Sequence, residues 1–187
     1  AVHDAAASLN NNNVIFYNRW SDQNRKDQHI HLARMVDFKF YESYKLPENV
    51  NLPGYKSIHP FVSMDGRTLY FSSNRPGGFG GMDLWKIEID ELGNPVGEAE
   101  NLGYPVNSEL DEVTAFFHDA SSTLFFSSNG HNSIGGLDVF KSFYNKENKA
   151  QKVTRWRRNN TLILTKKLGF SFLEELFLFV NNGNSIN

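Results

Sequence analysis

The chain has 187 residues, of which 40% are hydrophobic, 14% aromatic and 21% charged, enough for one domain with a real core and too apolar for an intrinsically disordered segment. Residues 1–145 carry 11 basic and 18 acidic side chains (−7) and residues 146–187 carry 8 and 3 (+5), so the main body lacks the clustered Lys and Arg that a nucleic-acid surface needs. Cysteine is absent, which excludes disulfides, thiolate metal sites and a Cys nucleophile, and the chain starts at Ala1 without an export signal, so a processed or fragmentary N-terminus is expected.

The first apolar run, Val14-Ile15-Phe16-Tyr17, reads as a strand and is followed by Asp27-Gln28-His29-Ile30-His31-Leu32. A weak outer strand is expected near Lys45. A second group begins with a strand over 57–63 and the turn Met64-Asp65-Gly66-Arg67. In Thr68-Leu69-Tyr70-Phe71-Ser72, Leu69 and Phe71 share one face while Tyr70 and Ser72 share the other, a period of two. The glycine-rich SSNRPGGFGGMD follows, and then Trp85, Ile87 and Ile89 alternate with Lys86, Glu88 and Asp90, so the pair reads as a hairpin. An outer strand is expected near Glu100. The third group repeats this order from a strand over 113–118, with Asp83 and Asp138 placed to accept backbone N–H groups where each glycine turn ends.

The groups are copies of one unit. Residues 59–86 (HPFVSMDGRTLYFSSNRPGGFGGMDLWK) and 114–141 (TAFFHDASSTLFFSSNGHNSIGGLDVFK) align without a gap at an offset of 55, with 11 of 28 positions identical. A fainter copy one offset earlier puts Asn10 under Asp65, Val14 under Leu69 and Phe16 under Phe71, with its glycine turn lost. The connectors also correspond, Leu46, Val50 and Asn51 with Leu102, Val106 and Asn107. The predicted organisation is all-β: a partial β-propeller of about three four-stranded antiparallel blades, with units near 1–55, 56–110 and 111–145 and a divergent tail over 146–187.

SMDGRTLYFSSNRPGGFGGMDLWK and the paler copy ending SSNGHNSIGGLDVFK resemble the TolB-type (WD40-like) β-propeller repeat. The flavour of these repeats is similar to that of propellers in cell-envelope proteins of Bacteroidota, which sit beside OmpA-type peptidoglycan-binding domains or in type IX secretion machinery. The resemblance implies a non-catalytic interaction or scaffolding module, periplasmic or associated with the outer membrane, whose partners are other envelope proteins, peptidoglycan-associated or secretion components. Three units leave both end sheets open, so missing blades are expected from a longer chain or from another chain. The tail breaks the grammar after Tyr144, as a frameshift would. Its apolar stretch over 161–180 contains Lys166, Lys167, Glu174 and Glu175, which argue against a transmembrane helix.

Candidate chemistry is sparse. His29 and His31 stand at i and i+2 as in H-x-H zinc sites, but no third ligand is evident. His59, His118 and His131 fall at unmatched repeat positions and read as structural. Asp65 lies in a turn resembling the aspartate box of sialidases, one residue short, and Asp83 and Asp138 could cap turns or help hold Ca²⁺. No G-x-S-x-G elbow and no phosphate-binding glycine loop occurs. No catalytic, cofactor-binding or metal residue is assigned. A propeller glycoside hydrolase and a ligand- or ion-binding sensor are the alternatives, and the loops over 18–27 and 75–79 are the expected binding surface. The basic run Lys146, Lys149, Lys152, Arg155, Arg157 and Arg158 around Trp156 reads as a solvated tail.

Overall fold

Runs of period-two alternation become strands, and they pair in the order in which they occur. The computed structural model describes residues 2–10, 12–37, 39–145, 147 and 149–156. The first sheet is a meander of β1 (Val2–Leu9), β2 (Val14–Ser21), β3 (Asn24–Val36) and β4 (Lys39–Lys45). The second is β5 (Ser57–Val62), β6 (Thr68–Ser73), β7 (Asp83–Ile89) and β8 (Pro95–Asn101). The third is β9 (Glu112–His118), β10 (Thr123–Ser128), β11 (Asp138–Phe143) and β12 (Thr154–Arg155), with a 3-10 turn at Asp119–Ser121 between its first two strands. All pairing within the sheets is antiparallel. The chain thus forms the three blades of a partial β-propeller.

Each blade is apolar on the faces that meet its neighbour. Val14, Phe16, Ile30 and Leu32 of the first sheet pack with Val62, Leu69, Phe71, Trp85, Ile87 and Ile89 of the second. Tyr70 and Leu84 on the second sheet's other face pack with Ala115, Leu124, Phe126 and Phe140 of the third. Leu46 and Val50 close the first interface and Val106 the second, so the connectors belong to the core. Residues past 145 also contribute: Ala150 and Val153 pack against the second cluster, and Arg155 and Thr154 pair with Phe140 and Lys141. Residues 157–187, with Arg157, Arg158 and the apolar stretch over 161–180, lie outside the described residues, as does Lys146.

The gapless alignment of the first unit is corrected by these faces. Leu69 and Phe71 look back toward the first blade, whereas Val14 and Phe16 look forward toward the second, so they are not equivalents. Hydrogen bonds fix the true match. Leu46 N–H donates to Ile30 O at 3.0 Å and Leu102 N–H to Leu84 O at 3.0 Å, which makes Ile30 the counterpart of Leu84. Asn18 pairs with Ile30 as Ser72 pairs with Leu84, so the offset across these strands is one residue shorter than 55. A one-residue slip turns every side chain to the opposite face. The sequence of β2 hides it because both faces carry apolar residues, Ile15 and Tyr17 as well as Val14 and Phe16.

The first strand of each blade carries a bulge at a residue with positive φ: Ala6 (45°), His59 (53°) and Thr114 (52°). The extra residue bends the strand without interrupting the sheet.

Candidate functional site

The loops that could carry function emerge from one end of the blades. They are the β6–β7 and β10–β11 loops (74–82 and 129–137) and the connectors over 46–56 and 102–111. Each connector is tied to its blade by one buried asparagine. Asn51 accepts from Ile30 N–H at 2.8 Å and donates to Ile30 O and Leu46 O. Asn107 accepts from Leu84 N–H at 2.9 Å and donates to Leu84 O and the Asn101 side chain.

Two buried ionic groups occupy matched places behind these loops. Arg75 donates to Asn49 O and Val50 O, and its guanidinium lies 4.9 Å and 5.2 Å from the ring centres of Phe71 and Trp85. Burial pushes its pKa down to about 10. In the third blade Glu112, 0% exposed, accepts from Ser108 N–H at 2.8 Å, Ser108 Oγ at 2.6 Å and Ser128 Oγ at 2.6 Å, with His131 Nε2 at 3.6 Å. Neither role was legible beforehand, since the repeat places Gly130 opposite Arg75 and Ser57 opposite Glu112.

The two segments expected to form the binding surface differ in form from that expectation. Residues 18–27 are not a long connector: they run from β2 into β3 through a tight turn at Asp22 and Gln23. Arg75 is a structural clamp rather than a contact group. Phe79, by contrast, is 56% exposed.

The aspartates act on backbone amides. Asp65 Oδ1 accepts from Ser63 Oγ at 2.6 Å and Arg67 N–H at 3.0 Å, and the Ser63 hydroxyl leads in holding its carboxyl below the usual range. Asp83 Oδ2 accepts from Phe79 N–H at 2.5 Å, while burial raises its pKa. Asp138 Oδ2 accepts from Ile134 N–H at 2.8 Å and lies 3.4 Å from Arg155 Nη1. Asp83 and Asp138 are capping groups at equivalent points. Asp138→Ala is expected to lower stability by about 1 kcal/mol, the usual cost of a lost cap. Calorimetry with and without Ca²⁺ checks it: a calcium-dependent melting temperature that the variant loses would make the carboxylate a ligand instead.

The first blade's β3 carries His29 and His31 on the face turned away from the second blade. His31 lies 5.8 Å from the Tyr17 ring, and burial lowers both imidazole pKa values, that of His31 to about 4. Among the described residues, no group of three or more His, Cys, Asp or Glu side chains is placed to hold a metal ion. His118 Nδ1 lies 2.7 Å from Ser121 Oγ and His131 Nε2 2.8 Å from Val106 O. His59 is half-buried with its Nδ1 shut off from solvent, and this desolvation lowers its pKa to about 4.

Because the depressed folded value lies below the unfolded one near 6.5, the unfolded chain binds the His59 proton first as pH falls. Stability is full above 6.5 and is lost toward pH 4, by up to about 3 kcal/mol. His31 acts in the same direction and Asp83 in the opposite one. His59→Asn, which tolerates the positive φ, is expected to flatten this limb in melting curves recorded between pH 4 and 7.

No family model and no curated protein matches the chain. Among solved structures, a protein assigned as TolB from Agrobacterium tumefaciens superposes with a TM-score of 0.55 at 17% identity, over 82% of this chain and 48% of that one. TolB from Acinetobacter baumannii gives 0.47 at 14% identity, over 82% of this chain and 32% of its own. An α-L-arabinofuranosidase from Lactobacillus brevis gives 0.50 at 12%, over 82% and 53%. The likeness is one of fold, a TolB-like β-propeller. The chain spans about half the length of the first of these structures.

Proposed function

We propose that this chain is a non-catalytic propeller segment that binds other proteins within a cell-envelope scaffold. The observation that carries this reading is the fate of the candidate carboxylates. Asp65, Asp83 and Asp138 each accept from donors of their own blade and Glu112 from the connector that leads into its blade, so what the arc offers outward is a rigid set of loops. The periplasmic or outer-membrane setting, the OmpA-like and secretion-associated context and the envelope partners follow from the repeat resemblance and belong to the proposal. Further blades, from the same protein or another, complete the ring. The glycosidase fold neighbour keeps hydrolysis as the second reading.

Two measurements on the full chain separate these readings. Osmotic-shock fractionation of the producing cells should place the protein in the periplasmic or outer-membrane fraction. A panel of 4-nitrophenyl glycosides, the α-L-arabinofuranoside included, should release no nitrophenol. Release that an Asp or Glu substitution abolishes would overturn the non-catalytic reading, and a cytoplasmic location would overturn the envelope setting.

A further inference from the structure

We propose that the loop end of the second and third blades is the docking surface for a partner protein segment that combines apolar side chains with Lys or Arg. The inference rests on the scaffold reading above and names the surface and the partner's chemistry.

The surface is built twice on one plan. In the second blade the β6–β7 loop lifts Phe79 out of the protein, 56% exposed, and in the third the β10–β11 loop lifts Ile134, 80% exposed. These two residues occupy the same repeat position. Each is held by the same device: its own N–H donates to the aspartate that begins the next strand, Asp83 at 2.5 Å and Asp138 at 2.8 Å. The two loops are joined by the connector between them. Gly81 N–H donates to Leu110 O at 3.1 Å, Met82 N–H to Asp111 Oδ1 at 2.8 Å, and Asp111 N–H to Asn129 Oδ1 at 2.8 Å. Leu110, 51% exposed, therefore lies on the strip that links the loop of Phe79 to that of Ile134, and Leu137 adds a further exposed apolar group.

Close packing fixes the strip. A Cβ placed on Gly80 would stand 2.3 Å from Leu110 O and 2.5 Å from Ser108 O, so the loop and connector meet backbone to backbone. Apolar groups on backbone that is already ordered lose little entropy on binding, and exposed apolar patches of this kind mark interaction sites. The first blade, with its tight turn at Asp22 and Gln23, offers no counterpart.

Charge selects the partner. On the loops and connectors of this end Glu48 and Glu109 are exposed and Asp111 half-buried, against a half-buried Lys56, while Arg75 is buried and bonded to Asn49 O and Val50 O, and Arg155 is spent on Asp138, 3.4 Å away. An apolar segment carrying Lys or Arg is complementary to this rim, and an anionic lipid surface is repelled by it.

Fluorescence anisotropy on the full chain tests the proposal with short labelled peptides of three kinds: Leu and Phe flanked by Lys, the same core flanked by Glu, and Lys-flanked Ser. The Lys-flanked apolar peptide is expected to bind best. Phe79→Ser with Ile134→Ser should weaken it by about tenfold or more, while Phe40→Ser with Tyr41→Ser, on the exposed β4, should leave it unchanged. Binding that survives the loop substitutions but falls with the β4 pair moves the surface elsewhere and leaves the scaffold reading standing. No binding of any peptide, a preference for the Glu-flanked one, or capture by phosphatidylcholine or phosphatidylglycerol vesicles in place of peptides overturns the inference. The scaffold reading itself falls only to the fractionation and hydrolysis results.

Discussion

Arg75→Ala is expected to lower the free energy of unfolding by about 3 kcal/mol, because hydrogen bonds from a charged group and the stacking of its stem are lost together. The guanidinium ties the connector carbonyls of Asn49 and Val50 to the first turn after β6, and it covers the Phe71 and Trp85 rings at the interface with the first blade. Arg75→Lys should recover less than half of the loss, since an ammonium lacks the planar fork that reaches two carbonyls while stacking on two rings. Urea titration of the three proteins measures this. A loss below about 0.5 kcal/mol, the ordinary range for surface positions, would show Arg75 to be a free loop residue, as its place beside the glycine turn suggests.

Phe71→Ala is expected to cost about 3–5 kcal/mol, as buried Phe truncations do. Phe71 is 0% exposed, lies in the cluster that joins the first two blades, and supports the Arg75 guanidinium from below. Since domains are stable by only about 5–15 kcal/mol, this is a large share of the total, and the urea midpoint followed by circular dichroism should fall in proportion. The double variant with Arg75→Ala should lose less than the sum of the single losses, because the two side chains touch. Phe143, 47% exposed on the third sheet, provides the contrast: Phe143→Ala should change stability by about 0.5 kcal/mol or less.

Much of the fold was legible because the second and third units keep both the period-two alternation and the glycine turn. Leu69 and Phe71 against Tyr70 and Ser72 fixed the two faces of β6, and Asp65, Asp83 and Asp138 did the turn-capping their positions suggested. The first unit was harder. With its glycine loop replaced by a two-residue turn, nothing in β2 told Phe16 from Tyr17 as the inward residue, and the match slipped by one.

Long-range partners were the other gap. Asn51 and Asn107 stood out as corresponding connector residues, but their bonds to Ile30 and Leu84 depend on how the chain returns to its own blade. Arg75 stands alone in a glycine-rich turn and Glu112 ends the acidic stretch Glu109-Leu110-Asp111-Glu112, and no local pattern announces the burial of either. The loop-end strip was half visible, since Phe79 stood within the expected loop while Ile134 and Leu110 did not.

The packing of the first blade on the second is best tested at Gly93, in the turn between β7 and β8. A Cβ built there would meet Leu32 Cδ1 at 2.7 Å, Val14 Cγ1 at 2.9 Å and Phe16 Cζ at 3.0 Å, so its α-protons face the first sheet directly. In a methyl- and aromatic-labelled sample, nuclear Overhauser cross-peaks are expected from the Gly93 α-protons to the Val14 and Leu32 methyls and to the Phe16 ring. Cross-peaks to Ile15 and Tyr17 in their place would reverse the register of the first blade, and none at all would mean that the sheets do not stack as successive blades.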